Sequence, residues 1–155
     1  MSIIQSVFNR IGNVADLFFD EPEVARYLTF DETLSGVALP EPETGINDRH
    51  FTHIDAPGLI NGSLPVIFFT TRHEGRPTFQ IRLNSTILIR YTFEDDGLRT
   101  WHKFIPRNAL KTQKNELVLN VQSGQGKVIF ADMFILYRSN ELTVRKPSVN
   151  EFVYE

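Results

Sequence analysis

The sequence predicts a mainly β chain, an antiparallel two-sheet sandwich or barrel, with an α-helical segment in front of it. Three observations carry this. From His50 onward, short runs rich in β-branched and aromatic residues follow one another, with Gly, Pro and Asn between them and no helical pattern among them. Ahead of them, Ile3, Ile4, Val7, Phe8, Ile11, Val14 and Leu17/Phe18 recur at helical spacing. The length, 155 residues, suits one domain with a sizeable core.

Residues 1–30 form the N-terminal helical segment. Its helix covers residues 3–19, weakened in the middle by Gly12-Asn13, and Glu21-Pro22-Glu23 opens a short second turn with Pro at a helix-entry position. The face of Ile4, Val7, Phe8 and Ile11 is expected to be buried, on the sandwich or on a second copy of the chain, because a helix this short does not persist alone in water. Residues 31–49 hold two prolines, two glycines and five acids, and read as a loop or linker with a short strand around Ser35–Leu39.

Residues 50–155 then form the β-sandwich domain. Its strand-like runs are "HFTHIDA", "LPVIFFTTRH", "TFQIRLN", "TILIRYTF", "TWHKFIP", "NELVLNV", "KVIFA" and "MFILYR". Parity adds one local expectation. Phe79, Ile81 and Leu83 share a face, and so do Ile87, Ile89, Tyr91 and Phe93. A three-residue turn, Asn84 to Thr86, sets Leu83 opposite Ile87 and keeps both sets inward. Leu83, Ile89, Leu117, Leu119, Phe130 and Ile135 are the expected core.

Composition excludes several chemistries. With no cysteine, disulfides, thiolate zinc sites and cysteine nucleophiles are ruled out. A net charge of -3 with scattered Lys and Arg gives no pull on nucleic acid or acidic lipid. No run approaches 18 apolar residues, so no membrane span is expected. The first residues lack a basic start followed by an apolar core, so a cytoplasmic setting is the expectation, although the sequence also suits a secreted domain in its mature form.

The strand pattern "FQIRLNSTILIRYTF", then "TWHKFIPRNALKTQKNELVLNV", then "VIFADMFILY" resembles the galactose-binding-like jelly roll of many carbohydrate-binding modules, over roughly residues 50–138. Asn84, Trp101, Leu110, Asn115 and Asp132 stand at the positions that carry the resemblance. Ser85, and Gln113 or Lys114, replace two glycines of that pattern, so both turns must form without them. The resemblance implies an eight-stranded jelly roll, often with sugar bound at loops on one end or in a groove.

Asp132 interrupts ten otherwise apolar residues, Val128 to Tyr137. It is expected at a break between a short strand, Lys127–Phe130, and a last strand, Met133–Tyr137, where its carboxylate accepts backbone N–H bonds as in an Asx turn. Asn115 is expected to do the same before its strand, and Asn84 to sit in a turn. A lone carboxylate falls short of the ligand number calcium takes.

No catalytic constellation is present, and an enzyme is not expected. His50 and His53 point to opposite faces of a strand and lack further zinc ligands. Glu21/Glu23, Glu41/Glu43 and Asp95/Asp96 are neighbours in loops, not carboxylates facing across a cleft; Asp95-Asp96-Gly97 reads as a hairpin turn. No GxSxG occurs, and "GQGK" at 124–127 lacks the spacing of a phosphate loop. No cofactor and no metal is expected.

The candidate ligand-binding residues are Trp101, His102, Arg72, His73 and Arg99. Trp101 and His102 face opposite ways on one strand. Trp101 either packs over the core edge with its N–H bonded, or stacks on a sugar or partner, and the packed reading outranks the other. Arg72, His73, Arg76, Arg90 and Arg99 flank the same predicted loops and are able to read a carboxylate or hydroxyls. Two functions compete. One is a non-catalytic binding module of carbohydrate-binding type. The other is an intracellular interaction or scaffold subunit that dimerises through the N-terminal segment.

Overall fold

The computed structural model describes residues 24–29 and 36–141. Nine strands are present in them: β1 (Val24–Thr29), β2 (Val37–Leu39), β3 (Asp48–Ile54), β4 (Val66–Gly75), β5 (Thr78–Leu83), β6 (Thr86–Thr92), β7 (Leu98–Phe104), β8 (Asn115–Val121) and β9 (Gly126–Ser139). They form two antiparallel sheets. The first has the order β1-β9-β4-β7, with β2 also paired to β9; the second has the order β3-β8-β5-β6. The chain is thus a β-sandwich. Among the described residues no helix is long and apolar enough to cross a membrane.

The boundaries differ from expectation in two places. Val24–Thr29, placed in the helical segment 1–30, pairs with Phe134–Ser139 as strand β1. The linker 31–49 contains β2, where the sequence predicts a short strand around Ser35–Leu39, but β2 pairs into the first sheet and β3 starts at Asp48, so the sandwich begins before His50. The predicted helix over residues 3–19 lies outside the described residues.

Alternation builds the core. Ile67 and Phe69 on β4, Phe79, Ile81 and Leu83 on β5, Leu117, Leu119 and Val121 on β8, and Val128, Phe130 and Ile135 on β9 are all buried. Ile89, expected among them, is partly buried and packs against this cluster. Aromatic rings fill its centre. Phe79 meets Phe93 and Phe130 with ring centroids 5.5 Å apart in each pair. Such contacts each add about 0.5–1.5 kcal/mol beyond area burial; four of the chain's 13 phenylalanines, Phe69, Phe79, Phe93 and Phe130, lie in this cluster.

Two registers depart from the parity argument. Leu83 pairs with Thr86, so the β5–β6 turn has two residues, Asn84 and Ser85, not three. Ile81 pairs with Ile89 and Arg82 with Ile87, which leaves Leu88 as an extra residue. This bulge restores inward parity farther along: Leu88 and Phe93 are buried, Tyr91 partly so, and Ile87 stays outside. The second departure is at Asp132. Lys127–Phe130 and Met133–Tyr137 are not separate strands but parts of one fourteen-residue strand, β9. Phe68 pairs with Phe134 and Thr70 with Ala131, so β9 carries one extra residue there. Asp132 has φ 51° and accepts a bond from the Thr70 hydroxyl at 3.2 Å. It occupies a bulge, where its left-handed backbone, which Asp tolerates, makes the kink.

Candidate functional site

Apart from β1–β2 and the β5–β6 hairpin, every connection crosses between the sheets. One end of the sandwich gathers the β4–β5, β6–β7 and β8–β9 connections. Gly75 and Gly126 pair there, and a Cβ on Gly126 would run into the Glu74 carbonyl, so the backbone approaches too closely for a side chain. Because β6 and β7 belong to different sheets, Asp95-Asp96-Gly97 is a crossover rather than the expected hairpin turn.

Three of the five candidate residues meet at this end. Strand alternation turns His73 inward and leaves Arg72 exposed. The His73 ring lies flat on Phe93, with centroids 3.8 Å apart and planes at 13°. Its Nε2 donates to the Asp95 carbonyl, which assigns the hydrogen to that nitrogen; Nδ1 is buried with no partner among the described residues. Arg99 binds the other side of the same loop. Its guanidinium donates to the Asp95 carboxylate, donates to the Tyr91 hydroxyl at 2.7 Å, and lies 5.2 Å from the Tyr91 ring centroid. Asp95 is thereby held at its carbonyl by one candidate residue and at its carboxylate by another.

Next to this clamp lies a depression of about 400 Å³ lined by Arg72, His73, Asp96, Gly97 and Leu98. Neither the Arg72 guanidinium nor the Asp96 carboxylate has a hydrogen-bonding or ionic partner among the described residues. The depression thus offers a forked cationic donor and a free acceptor on a loop fixed by Arg99 and His73. A second depression, of about 430 Å³, is lined by residues that include Gly36, Glu41, Glu43 and Arg49, with Arg49 3.6 Å from Glu41.

The other two candidates are elsewhere. Trp101 faces the interior, parallel to Phe69 at 5.8 Å and edge-on to Phe79 at 5.3 Å, and its indole N–H donates to the Thr71 hydroxyl at 2.7 Å. Its ring closes the open side of the core between β6 and β7. His102 is exposed on the outer face of the first sheet, 6.3 Å from the Phe68 ring.

The residues expected in turns sit away from the depression. Asn84 and Asn115 meet at the opposite end, where Asn115 is fully buried. Lys114, one of the two residues replacing a glycine of the pattern, adopts φ 54°. His50 stands on the outer face of the second sheet, its Nδ1 2.9 Å from Glu116 and its Nε2 3.3 Å from Asp48; bonds to these two carboxylates, Glu116 first, raise its pKa above 6.5. His53 is exposed with φ 58°. Among the described residues no group of three or more His, Cys, Asp or Glu is arranged to hold a metal ion.

Asp96 and the clamp at Asp95 were missed in the sequence because their role depends on β6 and β7 lying in different sheets. The only local sign was the acidic pair before Gly97.

No protein-family model and no curated protein matches the chain. Among solved structures it is similar to dimeric latent PorU from Porphyromonas gingivalis, with a TM-score of 0.54 and 11% identity, over 76% of this chain and 13% of that one. A structure of infectious bursal disease virus, Gx strain, aligns at 13% identity over 77% of this chain and 28% of that one, but its TM-score of 0.27 carries no argument. At 11% identity the likeness to PorU bears on architecture alone: a two-sheet β-sandwich that matches a small part of a much longer polypeptide.

Proposed function

We propose that the chain is a non-catalytic binding module of the galactose-binding-like, carbohydrate-binding type, and that it takes a hydroxyl-rich ligand at the loop end. The observation that carries this is the depression beside the Asp95 clamp, in which Arg72 and Asp96 present unpartnered polar groups. Its volume, about 400 Å³, falls within the range of small-ligand sites. A guanidinium and a carboxylate lining one depression suit a ligand with several hydroxyls, one donating to and the other accepting from them. Asp96 is the single carboxylate among the lining residues, whereas glycoside hydrolysis takes a facing pair. Trp101, partly buried against the core, does not line the depression, so recognition there rests on hydrogen bonds.

A glycan array followed by calorimetry on the best ligand tests this reading. Arg72→Ala and Asp96→Ala should each weaken binding at least tenfold with the melting temperature kept. An array without hits, or binding that ignores both substitutions, sinks it.

The second reading, a protein-interaction or scaffold subunit that dimerises through its N-terminal segment, draws support from a different surface. The outer face of the first sheet carries Phe104, which is 64% exposed, beside Phe68 and Phe134.

A further inference from the structure

One end of the outer face of the first sheet is apolar where a solvated sheet face is expected to be polar. Register puts Phe104, Val66 and Leu136 in one row across β7, β4 and β9, and His102, Phe68 and Phe134 in the next. Phe68 and Phe134 stack with centroids 4.9 Å apart. The outer face of the second sheet follows the usual rule: Asp48, Asn120, Gln80 and Arg90 form one row across its four strands. The apolar character is therefore particular to these two rows, and a patch of this kind marks a docking surface.

We infer that residues 3–19 of the same chain dock on these two rows. The first argument is where the chain enters. Strand β1 starts at Val24, opposite Ser139 on β9, so the preceding residues arrive at the end of the sheet where the Phe104–Val66–Leu136 row lies. The second is reach. Four residues, Asp20 to Glu23, separate residues 3–19 from β1 in the sequence, and four residues span at most roughly 13 Å. In the order β1-β9-β4-β7, β9 lies one strand spacing from β1, about 5 Å, and β4 two, about 10 Å, so the link is long enough to set the start of the segment over β9 or β4 and the segment itself crosses to β7. The third is complementarity. Ile4, Val7, Phe8 and Ile11 supply an apolar stripe, and residues 1–23 carry four acids against one arginine. Beyond Leu136 on the same face stands Arg138, opposite Ala25. The acidic link thus passes a basic flank as the stripe meets the aromatic rows.

The chain has no cysteine, so a designed pair reports without background. Ser6→Cys with Thr100→Cys, in the full chain, joins the segment to an exposed position on the outer face of β7. A short flexible bis-maleimide should give a monomeric product in which peptides around positions 6 and 100 are linked. A covalent dimer as the sole product overturns docking within one chain and favours exchange between two copies. No cross-link in a protein that melts like wild type overturns docking altogether. Hydrogen exchange gives a measurement that does not depend on cysteines. Phe104→Glu should speed amide exchange in residues 3–19 at least tenfold and leave β5 and β8 unchanged. Exchange that is already fast in wild type, or unaffected by the substitution, overturns the proposal as well.

Discussion

The side-chain amide of Asn84 donates to Oδ1 of Asn115 at 2.9 Å, and this bond ties the β5–β6 turn to the first residue of β8. Asn84 also donates to the Ala109 carbonyl at 2.7 Å and accepts from the Glu116 N–H at 3.0 Å. Asn115, fully buried, further accepts from the Lys111 N–H at 2.8 Å and donates to the carbonyls of Ile54 and Lys111 at 2.9 and 2.7 Å. Two amides thereby close the end of the sandwich opposite the depression, joining three connections that are far apart in sequence.

Asn115→Asp tests this junction. The side chain keeps its size but loses both donors, and its carboxylate then faces two carbonyl oxygens. Each buried group left unpaired costs about 1–3 kcal/mol, so with two carbonyls affected a loss of at least about 2 kcal/mol is expected by urea titration with an unchanged slope. A difference within half that value would mean water replaces the amide.

At Asp132 the left-handed backbone, rather than the charge, is the requirement. Asp132→Asn should be close to neutral, since the amide oxygen still accepts from Thr70. Asp132→Val should cost about 1–2 kcal/mol, because a β-branched residue at positive φ is strained. Equal stability of the Asn and Val variants on thermal melting would remove the bulge from the explanation.

Most strands were legible because alternation between apolar and polar residues survives in the sequence, as in Phe79, Ile81 and Leu83. The errors fall where alternation is uninformative. Ile87, Leu88 and Ile89 are all apolar, so nothing local says which one is the extra residue. Asp132 looked like a break because a carboxylate inside an apolar run resembles a turn, yet a bulge accommodates it within one strand. Val24–Thr29 follows a Glu-Pro-Glu helix-entry pattern, and its pairing with β9 is a contact across more than a hundred residues. At the loop end, Arg72, His73 and Arg99 were readable as polar residues near predicted loops. That Asp95 joins two of them depends on which strands share a sheet, which is set by long-range pairing.

His50 should show a pH signature. Its folded-state pKa lies above 6.5 because Glu116 and Asp48 bond to the ring. The sign follows: the folded form binds the proton more tightly, so the contribution to stability is complete below about 6.5. It is lost as pH rises through the folded value. The side chains are 46% and 39% exposed, so solvent screening limits the contribution to under about 1 kcal/mol. NMR titration of the ring protons should give a midpoint above 6.5 that falls in Glu116→Gln. A midpoint unmoved by that substitution would mean the 2.9 Å contact does not hold in solution.

The bulge on β6 offers the sharpest test of the register. In the two-residue turn, Leu88 is 5% exposed and Ile87 is 56% exposed. In the three-residue turn that parity favours, Ile87 faces Leu83 in the core and Leu88 faces solvent. The two arrangements therefore predict opposite outcomes for one pair of substitutions. Leu88→Ala removes a buried side chain and should cost about 2–5 kcal/mol, while Ile87→Ala removes an exposed one and should stay within about half a kcal/mol. The hairpin sits against Glu116 through the Asn84 N–H, which donates to its carbonyl at 2.8 Å, so the turn cannot shift by one residue without giving up this bond. That bond and the amide contacts of Asn84 are what hold the shorter turn, and Leu88 is the residue added to bring Tyr91 and Phe93 back to the inner face. Chemical denaturation of both single variants decides the matter: a larger loss for Ile87→Ala than for Leu88→Ala would restore the three-residue turn.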